Sequence, residues 1–290
     1  MKRAVLALVI MLAFEAAGFA ANSLYHPDKS GDEALQTLIR EKASRFTVKT
    51  FSDDVTGLAI NYSVYLPDED GRLPVVFFIA DGSAAGKDPE FSLTQGYGAL
   101  VWPEDCIVIV PAFPEMILDD HDGFVMTSYV ELAGRFVRWA VKEYDADASR
   151  VYATGQSMGC MTWLVLAAKY PELFTACLFV SGQWDIRQLG GLEGQRFVYV
   201  ASAGDPKASA GQREVIGSFT RPHVWYRNVD AKDPELELPE SQAVSFITFK
   251  SGTTLPEQSD KEYSEHMTSF DYAYRMAAVR EWLLAQTRGE

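Results

Sequence analysis

The chain has 290 residues, 48% of them hydrophobic, enough to bury one large core. Its formal net charge of −14 excludes the basic face that nucleic-acid phosphates demand and disfavours electrostatic binding to anionic lipid. No internal repeat, low-complexity tract or linker-like stretch divides it, so one domain is expected.

Taken in chain order, residues 1–20 read as a secretory signal. Lys2 and Arg3 supply the charged start, and the apolar run over 4–14 is too short to span a bilayer comfortably. Gly18 and Ala20 place small residues for cleavage after Ala20. The expected organisation is therefore a signal peptide over 1–20 and a single domain over 21–290 in a secreted or periplasmic protein, with an uncleaved anchor as the alternative. Residues 22–45 read as a loop and a short amphipathic helix with Leu35, Leu38 and Ile39 on one side. Residues 47–67 read as two antiparallel edge strands around a turn from Asp53 to Gly57.

From Leu73 the rhythm changes. Residues 75–80 form a continuous apolar run, as a parallel strand covered on both faces requires. It ends in the small-residue loop Asp81-Gly82-Ser83-Ala84-Ala85-Gly86. Residues 106–110 read as the next parallel strand. Its exit loop carries Asp119, Asp120, His121 and Asp122, read as a solvated loop bordering a cleft rather than a metal site. Residues 127–144 read as a helix, with Ser128 and Glu131 at capping-box spacing and Tyr129, Leu132, Phe136 and Ala140 as its apolar stripe.

Residues 151–154 read as a short buried strand and 158–168 as a helix, apolar nearly all round. Between them lies Gly155-Gln156-Ser157-Met158-Gly159, a G-x-S-x-G pentapeptide in the strand–turn–helix context that gives this pattern meaning. To lift a serine hydroxyl above a sheet the chain must reverse sharply, and side chains two residues either side would collide, hence the glycines. The first helical N–H, that of Met158, would point at whatever Ser157 attacks and serve as half of an oxyanion hole. By position, Gly82 or Ser83 would supply the second donor.

A serine nucleophile needs a base and an orienting acid. The sequence has four histidines, and only His223 and His266 follow Ser157. His266 directly precedes a helix-like run over 270–286, the place expected for the base; His223 enters a probable strand and is the competitor. Two aspartates follow strand-like runs: Asp205 after 197–201, the favoured acid, and Asp185 after 176–180, the alternative. Gln156, beside the serine, and Trp184, after the 176–180 strand, are candidate pocket residues. Three cysteines, an odd count, read as small buried hydrophobes and not as a disulfide framework. Residues 211–219 read as a helix, 224–229 and 244–249 as strands, and 206–265 as a region that could hold a partial cap.

The stretches LPVVFFIADG, LTQGYGALVWPE, IVIVPAFPE, RVYATGQSMGCMTWLVLAAKYPELF, LFVSGQWD and EHMTSFDYAYRMAAVREWLL resemble an α/β-hydrolase of the bacterial esterase branch labelled "predicted peptidase", related to polyhydroxybutyrate-depolymerase-like and feruloyl-esterase-like enzymes. Two departures stand out. Such enzymes usually have His-Gly after the first long strand, where this chain has Asp81-Gly82, and often His-Gly just before the acid, where it has Ala201-Ser202.

The resemblance implies a mostly parallel sheet with helices on both faces and a nucleophile elbow. It implies a secreted serine hydrolase that cleaves small or polymer-linked carboxylic esters through Ser157, His266 and Asp205 and an acyl-enzyme, needing no cofactor and no metal. A serine peptidase of the same fold, or a non-catalytic binding protein on this scaffold, are the alternatives.

Overall fold

The computed structural model describes residues 27–121, 123–220, 224–257 and 263–289; the expected signal segment, Asp122 and His223 lie outside them. Strands β1 (Thr47–Ser52), β2 (Ala59–Tyr65), β4 (Ile107–Ala112), β3 (Val75–Ile79), β7 (Val151–Gln156), β8 (Ala176–Val180), β9 (Phe197–Ser202), β11 (Val244–Phe249) and β10 (Trp225–Val229) lie side by side in that order in one sheet. β1 and β2 are antiparallel, as is the β2–β4 pair; every other neighbouring pair is parallel.

The helices are α1 (Glu33–Lys42), α2 (Ser128–Glu143), α3 (Met158–Lys169), α4 (Pro206–Ser218), α5 (Glu265–Arg275) and α6 (Ala277–Ala285). The central strands are buried along their whole length and mostly apolar because both of their faces are covered. In β3, Val75, Phe77 and Ile79 join a core with α2, α3 and α4. Val76 and Phe78 join the opposite core with α1, α5 and α6. The same alternation puts Cys177 and Phe179 of β8 on the first side, and Ala176, Leu178 and Val180 on the second. α3, sandwiched between sheet and α2, buries every residue from Met158 to Ala168.

The chain runs from β3 outward to β4, then returns across β3 to β7. The carboxyl ends of β3 and β7 therefore flank the point where strand order reverses, the place where open α/β sheets generally bind their ligands. The Asp81–Gly82 loop leaves one end and the Ser157 turn the other.

The closing helical region differs from the sequence-based expectation in two respects. The closing helix is two helices, broken where Met276 is extended (φ −65°, ψ 103°), and the Arg280 guanidinium takes up the freed Tyr274 carbonyl. It also begins earlier, at Glu265, with the Ser264 hydroxyl accepting the N–H of His266 as its cap, so His266 sits in the first helical turn and not in a loop. The described part of the 206–265 stretch contributes to the sheet layers. Its α4 packs on the sheet and its β10 and β11 extend it; of the intervening excursion, Leu236 and Leu238 pack against the α5–α6 side. Cys106, Cys160 and Cys177 are free and buried.

Candidate active site

Ser157 ends β7 and caps α3 with φ 51° and ψ −114°, a backbone conformation that L-residues rarely adopt. Such a residue costs on the order of 1–3 kcal/mol and persists only where its surroundings over-determine it. Here three backbone bonds do so: Ser157 N–H to the Val180 carbonyl (3.0 Å), Gly159 N–H to Ala80 (3.1 Å) and Met161 N–H back to Ser157 (2.9 Å). The two glycines are required by close approach. A Cβ on Gly159 would lie 2.0 Å from the Ile79 carbonyl oxygen, and one on Gly155 would lie 2.6 Å from Gly159. The elbow is thus pressed against the end of β3 with no room for a methyl group.

His266 Nε2 lies 2.8 Å from Ser157 Oγ, and His266 Nδ1 lies 2.6 Å from Asp205 Oδ2. An ionised carboxylate can only accept, so the Nδ1–H donates to Asp205 and Nε2 is left to accept the Ser157 O–H. Asp205 ends the turn after β9 and is almost fully buried. Its other oxygen accepts the Ala208 N–H (3.2 Å), capping α4 with Pro206 at the first helical position. The imidazole is fixed from its own helix as well. Its ring meets Phe270 edge-on at 5.1 Å, and the His266 carbonyl accepts the Ser269 hydroxyl, which also bonds Ser181 at the end of β8.

Asp185, the alternative acid, faces elsewhere. The Arg187 side chain forks onto both its oxygens (2.9 and 2.7 Å) and holds its carboxyl below the usual carboxylate range. Cys160, one turn past the serine, is fully buried; burial pushes its thiol up and disfavours the thiolate.

The expected oxyanion donors separate. Met158 is the first residue of α3, so its N–H has no intrahelical acceptor. The Ser83 N–H donates to the Asp81 carboxylate (2.9 Å) and is not aimed at a substrate oxygen, which leaves Gly82 as the loop's candidate. The two proposed pocket residues are both occupied in packing. Gln156 is buried, and its Nε2 donates to Asp81 Oδ2 (2.8 Å), tying the elbow to the β3 loop. Trp184 is buried under Phe124, whose ring meets it at 5.0 Å.

Phe124 belongs to a short hairpin of β5 (Leu118–Asp119) and β6 (Val125–Met126) in the loop read as solvated. Asp120 in that hairpin bonds Gln183 and Lys207, and the Asp119 carboxylate faces the His121 ring at 2.6 Å. Asp119, Asp120 and His121 bring potential ligand atoms within 4.8 Å of one another, but the Lys207 ammonium already occupies Asp120.

Sequence reasoning overlooked two buried carboxylates, Asp81 and Glu265. The available signal was the pair of departures from the family pattern, at Asp81 and at Ser202, which donates to Glu265.

A family model described as "Putative esterase" matches residues 54–272. Acetylxylan esterase A of Aspergillus ficuum is 29% identical over 170 residues, 55% of this chain and 52% of that one. Acetylxylan esterase A of Emericella nidulans is 52% identical over 145 residues, 47% of this chain and 45% of that one. The chain spans about half the length of these curated relatives. Among solved structures, a thermostable esterase superposes with a TM-score of 0.67 at 21% identity, covering 85% of this chain and 64% of that one. The feruloyl esterase module from Clostridium thermocellum superposes with a TM-score of 0.51 at 11% identity, covering 87% and 90%. These neighbours and the sheet order establish the α/β-hydrolase fold that the motifs implied.

Proposed function

The chain belongs to this esterase family, and from that membership we propose that it hydrolyses carboxylic esters by a serine acyl-transfer mechanism. The reading rests above all on the hydrogen-bonded row Asp205–His266–Ser157 at a strained elbow. Ser157 Oγ attacks the acyl carbon while His266 Nε2 takes its proton. The tetrahedral oxyanion is held by the N–H groups of Met158 and Gly82. As the C–O bond to the alcohol breaks, His266 returns the proton to the leaving oxygen. Water then attacks the acyl-enzyme with His266 again as base, and the acid leaves as Ser157 regains its proton. Asp205 stays ionised throughout, keeping the proton of neutral His266 on Nδ1 and stabilising the imidazolium. No step in this cycle calls for a metal or a cofactor.

The curated relatives are named for acetylxylan, so we extend the proposal to short acyl esters carried on a polysaccharide. The protein is expected to hydrolyse 4-nitrophenyl acetate and to release acetate from acetylated xylan, while chromogenic peptides stay intact. Peptide cleavage with every ester left untouched would overturn this reading.

Among the described residues no helix is long and apolar enough to cross a membrane. The charged start and short apolar run of residues 1–20 support export with cleavage near Ala20. N-terminal sequencing of protein from its native host is expected to begin near Ala21; an intact Met1 in the membrane fraction would favour an anchor instead.

A further inference from the structure

Glu265 immediately precedes His266, is 8% exposed, and has no part in the cycle just described. Its carboxylate accepts three hydrogen bonds from two other loops. Oε2 takes the Ser202 hydroxyl at 2.5 Å, at the end of β9 and three residues before Asp205. Oε1 takes the Ser251 hydroxyl at 2.9 Å and the Gly252 N–H at 2.8 Å, in the turn that follows β11. The acid's own turn rests on the same group: a Cβ on Gly204 would lie 1.8 Å from Oε1 and 2.1 Å from the carboxyl carbon.

Among the described residues no lysine or arginine is paired with this carboxylate, and three hydrogen bonds offset the cost of its burial. A buried acceptor satisfied by three converging donors has little freedom to move, and neither do the segments that supply the donors.

We infer that Glu265 is a positioning residue for the acid–base pair, a role that rests on the assignment of Ser157, His266 and Asp205 above. Its carboxylate locks the start of α5, which carries His266, onto the turn that carries Asp205. The 2.6 Å contact between His266 and Asp205 is thereby set from behind as well as by the pair itself. A misplacement on the order of 1 Å at such a pair costs about 10²-fold in rate.

The role is one of contact geometry, and the conservative variant isolates it. In Glu265→Gln, the amide oxygen can still accept from Ser251 and Gly252. The amide NH₂ can donate to Ser202, whose hydroxyl rotates from donor to acceptor. Glu265→Ala loses all three contacts.

The test compares wild type, Glu265→Ala and Glu265→Gln on 4-nitrophenyl acetate. Alongside, the rate of fluorophosphonate labelling and the downfield proton-NMR signal of His266 Nδ1–H are followed. Glu265→Ala is expected to lose about 10²-fold in kcat with KM changed only a few-fold, about 10²-fold in labelling rate, and the downfield signal. Glu265→Gln is expected to keep most of the turnover and the signal. Ser202→Ala, which deletes one donor and keeps the carboxylate, is expected to fall between them and decides the matter if Glu265→Ala does not fold. Wild-type kcat in Glu265→Ala or Ser202→Ala, or a Glu265→Gln as slow as Glu265→Ala, overturns the inference. Failure of the wild-type protein to label at Ser157 instead removes the triad assignment on which it rests.

Discussion

Ser157→Ala is expected to lower kcat on 4-nitrophenyl acetate by 10⁴-fold or more, because removing one member of a group that acts as a unit costs on the order of what removing all of them does. The variant is expected to fold normally. Alanine at φ 51° meets the same backbone penalty as serine, and the bonds from Ser157 N–H and to its carbonyl are untouched. Ser157 Oγ bonds His266, so its loss leaves a partly exposed imidazole that water can satisfy. A fluorophosphonate probe is expected to modify the wild-type protein stoichiometrically at Ser157 and to leave the variant unlabelled. Labelling at another residue, or an active Ser157→Ala, would remove the serine mechanism.

Asp205→Asn is the second large effect, and the local structure says which way the new amide would turn. Asp205 Oδ1 caps α4 through the Ala208 N–H, a bond that only an oxygen can accept. The asparagine oxygen therefore stays at the cap and its NH₂ faces His266 Nδ1. A donor there forces Nδ1 to accept, which moves the ring proton to Nε2, where it points at Ser157 and cannot take its proton. The expected loss in kcat is on the order of 10⁴-fold, with stability little changed because the cap survives.

Asp205→Ala should lose comparable activity and, in addition, about 1 kcal/mol of stability from the lost cap. Asp185→Asn loosens contacts with Arg187 and Gln188 and is expected to leave kcat within a few-fold. The opposite ranking, with Asp185→Asn the crippled variant, would reverse the assignment of the acid.

The central strands were readable because burial on both faces leaves apolar runs, unbroken at β3 and β8 and giving way to polar residues only near the carboxyl ends of β7 and β9. The elbow was readable because a strained serine needs small neighbours, and glycine is conspicuous in text. The start of α5 was not: Glu265 and Thr268 are polar yet buried, so hydropathy placed the helix start at 270 rather than 265. The β5–β6 hairpin escaped for another reason, since strands of two residues carry no period. Ser83, Gln156 and Trp184 were assigned by their nearness in sequence to the elbow or to strand ends. Which way a side chain or an N–H points from such a place depends on a partner far along the chain, such as Asp81 for Gln156, across 75 residues. Asp81 and Glu265 expose the same limit: a lone carboxylate in a sequence reads as surface until its donors are known.

The order in which the three reacting side chains leave the ribosome differs from the order in which the sheet is completed. Ser157 and Asp205 have both been synthesised once β11 ends at Phe249, and by then so has every strand of the large sheet. The base comes later, on a helix that starts at Glu265, and it must reach back across 109 residues to the serine. A chain halted between those points would lack both the imidazole that faces the Ser157 hydroxyl and the helical layer that covers one face of the sheet. On the proposed mechanism, ester turnover during refolding would report the docking of the final two helices together with the sheet face they cover.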